Sequence, residues 1–179
     1  LAVTDPESLQ AAIHEEVTLR AYDPRWPGLF EAERERLLSL FPDDFITIEH
    51  IGSTAVPGLV AKPVIDILAG VASMAAARAL VGPLCAEGYT ASAEFNATLV
   101  DRQWLMRWAG GHRTHHLHLV VHGGELWTQR LRFRDALRAD AALAARYAAL
   151  KADLAARYPS DREAYTEGKA AFVRSVNEG

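Results

Sequence analysis

The chain has 179 residues, half of them hydrophobic and 23% charged; that is apolar matter enough for a buried core at the usual size of one domain, and it excludes a disordered chain. The formal net charge of -4 and an isoelectric point near 6.0 argue against a general nucleic-acid binder, which carries a basic footprint, but leave room for a local basic pocket. One cysteine, Cys85, permits no disulfide within the chain and fits a reducing, cytoplasmic setting, and no apolar run approaches the ~20 residues of a membrane span.

Taken in order, Leu1 to Pro6 lack the basic flank and apolar core of a signal peptide, and the absence of Met at the start leads us to expect a trimmed or missing beginning. Asp5-Pro6-Glu7 is a helix-start signal for residues 5–15. Val17 to Tyr22 alternates as a strand, ended by Asp23-Pro24. Trp26-Pro27 opens a helix over about 28–41, with Leu29, Phe30, Ala32, Leu37, Leu38 and Phe41 as its apolar stripe. Glu31, Glu33, Arg34, Glu35 and Arg36 form the wet face. Phe45 to Ile48 and Val64 to Leu68 are two strands around a Gly/Ser/Pro-rich loop. Ser73 caps a helix over 73–87 that Gly88 stops. Residues 89–121 read as β structure: Tyr89 to Ser92, Thr98 to Val100, Gln103 to Trp108, a turn at Gly110-Gly111, and His115 to Val121. From Glu125 on the chain is helical, in one helix to about Leu137, a second over 141–158, and a last one begun by Ser160 with Glu163 as a capping box. The pattern predicts one α+β domain over 1–179, a mixed sheet flanked by helices with a helical C-terminal third.

Several residues carry chemistry. Asp66 inside Val64 to Leu68 is costly to bury without a partner; a metal ion, a lysine, a histidine, an arginine or a backbone donor would satisfy it. Gly52-Ser53-Thr54 lets backbone N–H groups approach a phosphate, with hydroxyls from Ser53 and Thr54; a plain turn is the alternative. His116 and His118 share one strand face and His115 points to the other. A His-x-His pair with Asp66 makes three ligands for a metal, and His50 and Glu49 offer further ones. His112 and His122 lie in Gly-flanked turns and read as exposed. Lys62 shares the Asp66 face by alternation. Arg134 and Arg138, one helical turn apart, suit phosphate or carboxylate, or a solvated face with Asp135. Lys151 and Lys169, with Tyr147 and Tyr165, either close a pocket from the C-terminal helices or are helix-surface residues. Cys85 reads as core.

Together, Tyr22-Asp23-Pro24-Arg25-Trp26-Pro27, Glu49-His50-Ile51-Gly52-Ser53-Thr54-Ala55-Val56-Pro57-Gly58-Leu59, Lys62-Pro63-Val64-Ile65-Asp66-Ile67, His116-Leu117-His118, Phe133-Arg134-Asp135-Ala136-Leu137-Arg138, Tyr147 to Lys151 and Tyr165 to Lys169 resemble the GrpB family over about residues 17–176. The resemblance implies a nucleotidyltransferase-like mixed sheet flanked by helices, and fusion to dephospho-CoA kinase in some relatives. It implies that the Gly52-Ser53 turn matches a phosphate loop. It also implies a divalent metal (Mg, Mn or Zn) on a carboxylate pair. Val64 stands where the first carboxylate belongs, and His116 or His118 falls near the place of a third; one Asp with imidazoles suits softer metals than Mg²⁺. Three functions follow as expectations. One is nucleotidyl transfer by Asp66 and Glu49, with His50, Gly52, Ser53, Thr54 and Lys62 at the ligand. Another is a non-catalytic nucleotide- or CoA-binding module using Arg134, Arg138, Lys151, Tyr165 and Lys169. The last is a metal-dependent hydrolase on Asp66, His116 and His118. The expected partner is a nucleotide or other phosphorylated small molecule, with no nucleic acid and no membrane; the oligomeric state stays open.

Overall fold

A computed structural model describes residues 15–179, so the helix expected over 5–15 lies outside the described residues. Among these, the order is α1 (Trp26–Leu40), β1 (Thr47–Ile51), a 3-10 turn (Ser53–Ala55), β2 (Ile65–Val71), α2 (Met74–Ala86), β3 (Tyr89–Thr90), α3 (Ala93–Ala97), β4 (Arg102–Ala109), β5 (His112–Val121), α4 (Glu125–Ala139), α5 (Ala141–Arg157) and α6 (Arg162–Glu178). The five strands form one mixed sheet in the order β1-β2-β5-β4-β3. Only β2 and β5 run parallel; everything between them in sequence serves as their crossover. No helix among the described residues is long and apolar enough to cross a membrane.

Both sheet faces are covered. Ile48, Ile67, Ala69, Leu105, Leu117 and Leu119 point to α1 and α2, where Phe30, Leu37, Leu80 and Leu84 complete the main core. On the other face Ile51, Leu68 and Val120 meet Trp127 of α4. Beyond them, α4, α5 and α6 pack on the loop after β1, with Val56, Leu59, Leu137 and Tyr147 buried together. The α+β architecture with a helical C-terminal part is thus as the pattern predicts.

Four local expectations are corrected. Val17 to Tyr22 forms no strand: it is tied to the loop between β1 and β2 by a single bridge, Arg20 to Ala61, and its alternation serves to bury Val17 against Leu154 and Tyr165. Thr98 to Val100 follows a short helix instead of pairing. Ser92 accepts from Phe95 N to start that helix, Asn96 bonds the Trp104 backbone in both directions, and Val100 is left 83% exposed. Asp161, one residue later than Ser160, caps α6 by accepting from Ala164 N. On α1, Leu29 is exposed and Glu33 is 4% exposed. Glu33 accepts from Tyr89 Oη at 2.7 Å and pairs with Arg36 at 3.0 Å and with Arg107. A wheel of one helix cannot reveal partners that far along the chain. The 74–86 helix keeps its Ser73 cap, which accepts from Ala76 N.

Candidate functional site

Strand β2 is apolar on both faces except at Asp66. Its parallel register with β5 sets Asp66 opposite His116 and Leu68 opposite His118, and the two-residue period of a strand turns both imidazoles to the Asp66 face. Asp66 Oδ1 lies 3.3 Å from His116 Nδ1 and 3.7 Å from His118 Nε2. Arg113 Nη1 reaches His116 Nε2 at 3.0 Å. A guanidinium only donates, so Nε2 accepts and the ring proton sits on Nδ1, directed at Asp66. Simple alternation would send Arg113 to the opposite face. The register slips by one between Arg107 and Trp108, and this bulge turns Arg113 onto the His116 side. Glu15 then holds Arg113 at 3.0 Å and Arg162 at 2.9 Å.

Burial alone would raise the Asp66 pKa, but the imidazoles of His116 and His118 beside it outweigh burial and hold the carboxyl well below the usual range. Burial, with Arg130 acting in the same direction against Asp66, pushes His118 down to about 4. The centre is therefore an ionised carboxylate beside a neutral His118 at neutral pH.

The loop from β1 leans on this carboxylate. Gly52 has φ +73°, and a Cβ there would stand 2.6 Å from Asp66 Oδ2; only glycine allows both the turn and the approach. The next residue, Ser53, has its Oγ 2.8 Å from Lys151 Nζ. Lys151 is 2% exposed, donates to the Val60 carbonyl and lies 5.1 Å from the Tyr147 ring centroid. Lys62 and Lys169 meet over one ring, with ammonium groups 5.2 and 4.4 Å from the Tyr165 centroid. Arg130 of α4 belongs to the same electrostatic group as Asp66 and Tyr147.

Lys62, Lys151, Lys169 and Arg130 thus all feel Asp66, with Glu15 also near Lys62 and Asp101 near Arg130, and Lys169 repels the other three. Burial and then Lys169 and Arg162 bring Lys62 to about 7. Burial and Lys169 bring Lys151 to about 7. Burial, against Asp66 and with Arg130 and Arg162, brings Lys169 to about 8. Burial raises Tyr165 to about 12.

The other expected residues lie elsewhere. His50 faces the main core, stacked on Phe30 at 4.7 Å and bonded through Nε2 to the buried Thr54 hydroxyl at 2.9 Å; burial lowers it to about 4. Glu49 is on the Asp66 face but pairs with Arg134 at 2.7 Å. Arg134 also bonds Asp135 and the His50 carbonyl, so its charge is already matched. Arg138 donates to the Ala55 carbonyl at 2.8 Å and with His50 borders a separate cleft of about 570 Å³ beside Tyr22, Val56 and Leu59. His112 and His122 are exposed. Arg113 and Arg130 are the site residues that sequence reasoning missed. Arg130 was visible one turn before Arg134; Arg113 was hidden by the bulge.

A divalent cation does not fit this surrounding. Among the described residues no group of three His, Cys, Asp or Glu side chains is arranged to hold a metal ion. Val64, in the place of the expected first carboxylate, is an apolar core residue 7% exposed. The groups that do face Asp66 are donors and cations, the chemistry that receives an anion.

Comparison with known proteins agrees with the sequence pattern. The family described as GrpB protein matches residues 16–178. The UPF0157 protein YqkA of Bacillus subtilis (strain 168) is 36% identical over 162 residues, 90% of this chain and 46% of that protein. A dephospho-CoA kinase of Mycolicibacterium paratuberculosis is 33% identical over 176 residues, 86% of this chain and 43% of that protein. The chain spans less than half the length of each of these two relatives, and the second joins a similar segment to a protein named for kinase activity. The crystal structure of the conserved protein GrpB from Enterococcus faecalis matches with a TM-score of 0.79 at 33% identity, covering 90% of this chain and 95% of that one.

Proposed function

The chain belongs to the GrpB family, and from that premise we propose that it binds the phosphate groups of a nucleotide or CoA-type small molecule at the cationic cluster beside Asp66, where the sheet face meets helices α4 to α6. The observation that carries this reading is the gathering of Lys62 and Lys169 over the Tyr165 ring, with Arg130 and the Lys151 amine, around Asp66. Such an excess of half-desolvated positive charge destabilises the empty site and is relieved by an anion. Asp66 keeps the cations gathered, and Arg113 and His116 keep Asp66 aimed. The likeness of the Gly52-Ser53 turn to the phosphate loop of nucleotidyltransferases supports the same reading, as does the relative named dephospho-CoA kinase.

Two-metal nucleotidyl transfer finds less support, because Val64 supplies no oxygen and the neighbours of Asp66 are not carboxylates. Thermal melting with pyrophosphate, ATP, CoA and dephospho-CoA tests the proposal. At least one of these raises the melting temperature in the presence of a chelator, and the rise disappears in a Lys62→Ala/Lys169→Ala variant. A melting temperature unmoved by all four contradicts it.

A further inference from the structure

We propose that Ser53 Oγ is a nucleophile whose base is the Lys151 amine, and that it accepts a phosphoryl group from the ligand of the cationic cluster. This rests on the anion-binding reading above. The two atoms are 2.8 Å apart, and Lys151 is fixed by burial and by its bond to the Val60 carbonyl. Tyr147, one turn earlier on α5, has its ring centroid 5.1 Å from the same amine.

A lysine that merely ties a loop to a helix is ordinarily matched by a carboxylate or left in water. Among the described residues no carboxylate lies within ion-pair distance of Lys151, and its two polar partners are a carbonyl and a hydroxyl. A neutral amine satisfies both: an N–H donates to Val60, and the nitrogen lone pair accepts the Ser53 O–H. The groups facing Nζ are Lys169 from α6, Asp66 from β2, Ser53 from the loop and Tyr147 from its own helix. Burial and Lys169 favour the neutral form, Asp66 opposes it, and the balance places the amine at about 7. The pairing of a hydroxyl with a buried amine is one of the arrangements that activate serine.

The step balances without a further reactant. The Ser53 oxygen forms a bond to phosphorus as the bridging P–O bond to the leaving group breaks. The hydroxyl proton passes to Lys151 and from there to the departing oxygen. Lys62, Lys169 and Arg130 face the charge on the phosphoryl oxygens. Water then attacks phosphorus as the Ser53 O–P bond breaks, Lys151 takes a proton from the water and passes it to the Ser53 oxygen, and inorganic phosphate leaves. The outcome is hydrolysis of a phosphate ester or anhydride.

A small alkyl fluorophosphonate tests this on the full chain, since its fluoride leaving group makes recognition of the natural leaving group irrelevant. Peptide mapping by mass spectrometry is expected to find the adduct on Ser53, formed at a rate that rises with pH through about 7 as Lys151 loses its proton. Ser53→Ala abolishes the adduct. Lys151→Arg retains donors for Ser53 and Val60 but cannot take up a proton, and it slows labelling on the order of 100-fold. A chain that binds ATP but gains no adduct at Ser53 overturns the nucleophile and leaves the binding reading standing. Labelling of Ser53 without any ATP-induced shift supports the nucleophile and overturns the binding reading. If Lys151→Arg fails to fold, the wild-type profile decides: a labelling rate flat from pH 6 to 9 overturns the proposal.

Discussion

An anion binding the cationic cluster at pH 7.5 is expected to bring roughly one proton with it. Lys62 stands at about 7 and Lys169 at about 8 in the empty site. At pH 7.5 an amine at 7 is roughly one-quarter protonated and one at 8 roughly three-quarters. Phosphate oxygens beside both ammonium groups raise both values, and filling the vacant fractions takes up roughly one proton in all. Lys151 adds nothing to this if it stays neutral as the base of Ser53. By the same linkage the affinity falls on the order of twentyfold between pH 7.5 and 8.5 and is nearly flat around pH 6. ATP is a suitable probe above pH 7.5, because a terminal phosphate titrates near about 6. Calorimetric titration in Tris and in HEPES gives the proton count from the dependence of the observed heat on the buffer's ionisation enthalpy. Zero proton uptake, or release, would refute the reasoning, since it would mean that the lysines are already fully charged and under no mutual strain.

Further perturbations follow from the same geometry. The empty protein should grow more stable as pH rises from 7 towards 9: Lys62 and Lys169 sit below their ordinary 10.5 when folded, so in that window the unfolded chain binds more protons. Lys62→Met, which keeps the apolar stem and removes the charge, should accordingly raise the melting temperature at pH 7 while weakening ATP binding. His50 and His118, held at about 4 against an ordinary 6.5, should add a second rise in stability between pH 4 and 6.5, visible in urea titrations across that range. Gly52→Ala should cost about 1–3 kcal/mol in chemical denaturation, because a Cβ meets Asp66 Oδ2 at 2.6 Å with φ at +73°. Adding Asp66→Ala should recover the contact part of that cost and not the backbone part. Glu33→Ala should cost about 3 kcal/mol, since it strips Tyr89, Arg36 and Arg107 of a shared partner; a loss under ~1 kcal/mol would show that the cluster is not integral to the core.

How much of this was legible in the sequence depends on whether the signal was local. The hairpin around Gly52, the caps at Ser73 and Gly88, and the alternation of His116 with His118 are short-range patterns, and they correspond to β1, β2, α2 and β5. The convergence of Asp66 with His116 and His118 required the parallel register of β2 and β5, which no local pattern states. Glu33 looked like part of a wet helix face because its partners, Tyr89 and Arg107, lie 56 and 74 residues away. Arg113 was concealed by one extra residue in β5. Val17 to Tyr22 carried a true alternation that is spent on the C-terminal helices rather than on a strand ladder. At the site, charge type was readable residue by residue, but charge balance was not. Arg134 already has Glu49 and Asp135 in ion pairs, whereas Lys62, Lys151 and Lys169 share Asp66, with Glu15 adding only to Lys62. That difference turns a set of candidate metal ligands into a cationic cluster.

The most direct test of that cluster is a calorimetric titration of the full chain with ATP in the presence of EDTA, run beside the Lys62→Ala/Lys169→Ala variant. The account predicts saturable binding at one site per chain without any divalent cation. It also predicts a loss on the order of 100-fold or more in the variant, from removing two charge-assisted contacts of about 1.5–3 kcal/mol each. Binding that appears only when Mg²⁺ or Mn²⁺ is supplied, or that is unchanged in the variant, would contradict it.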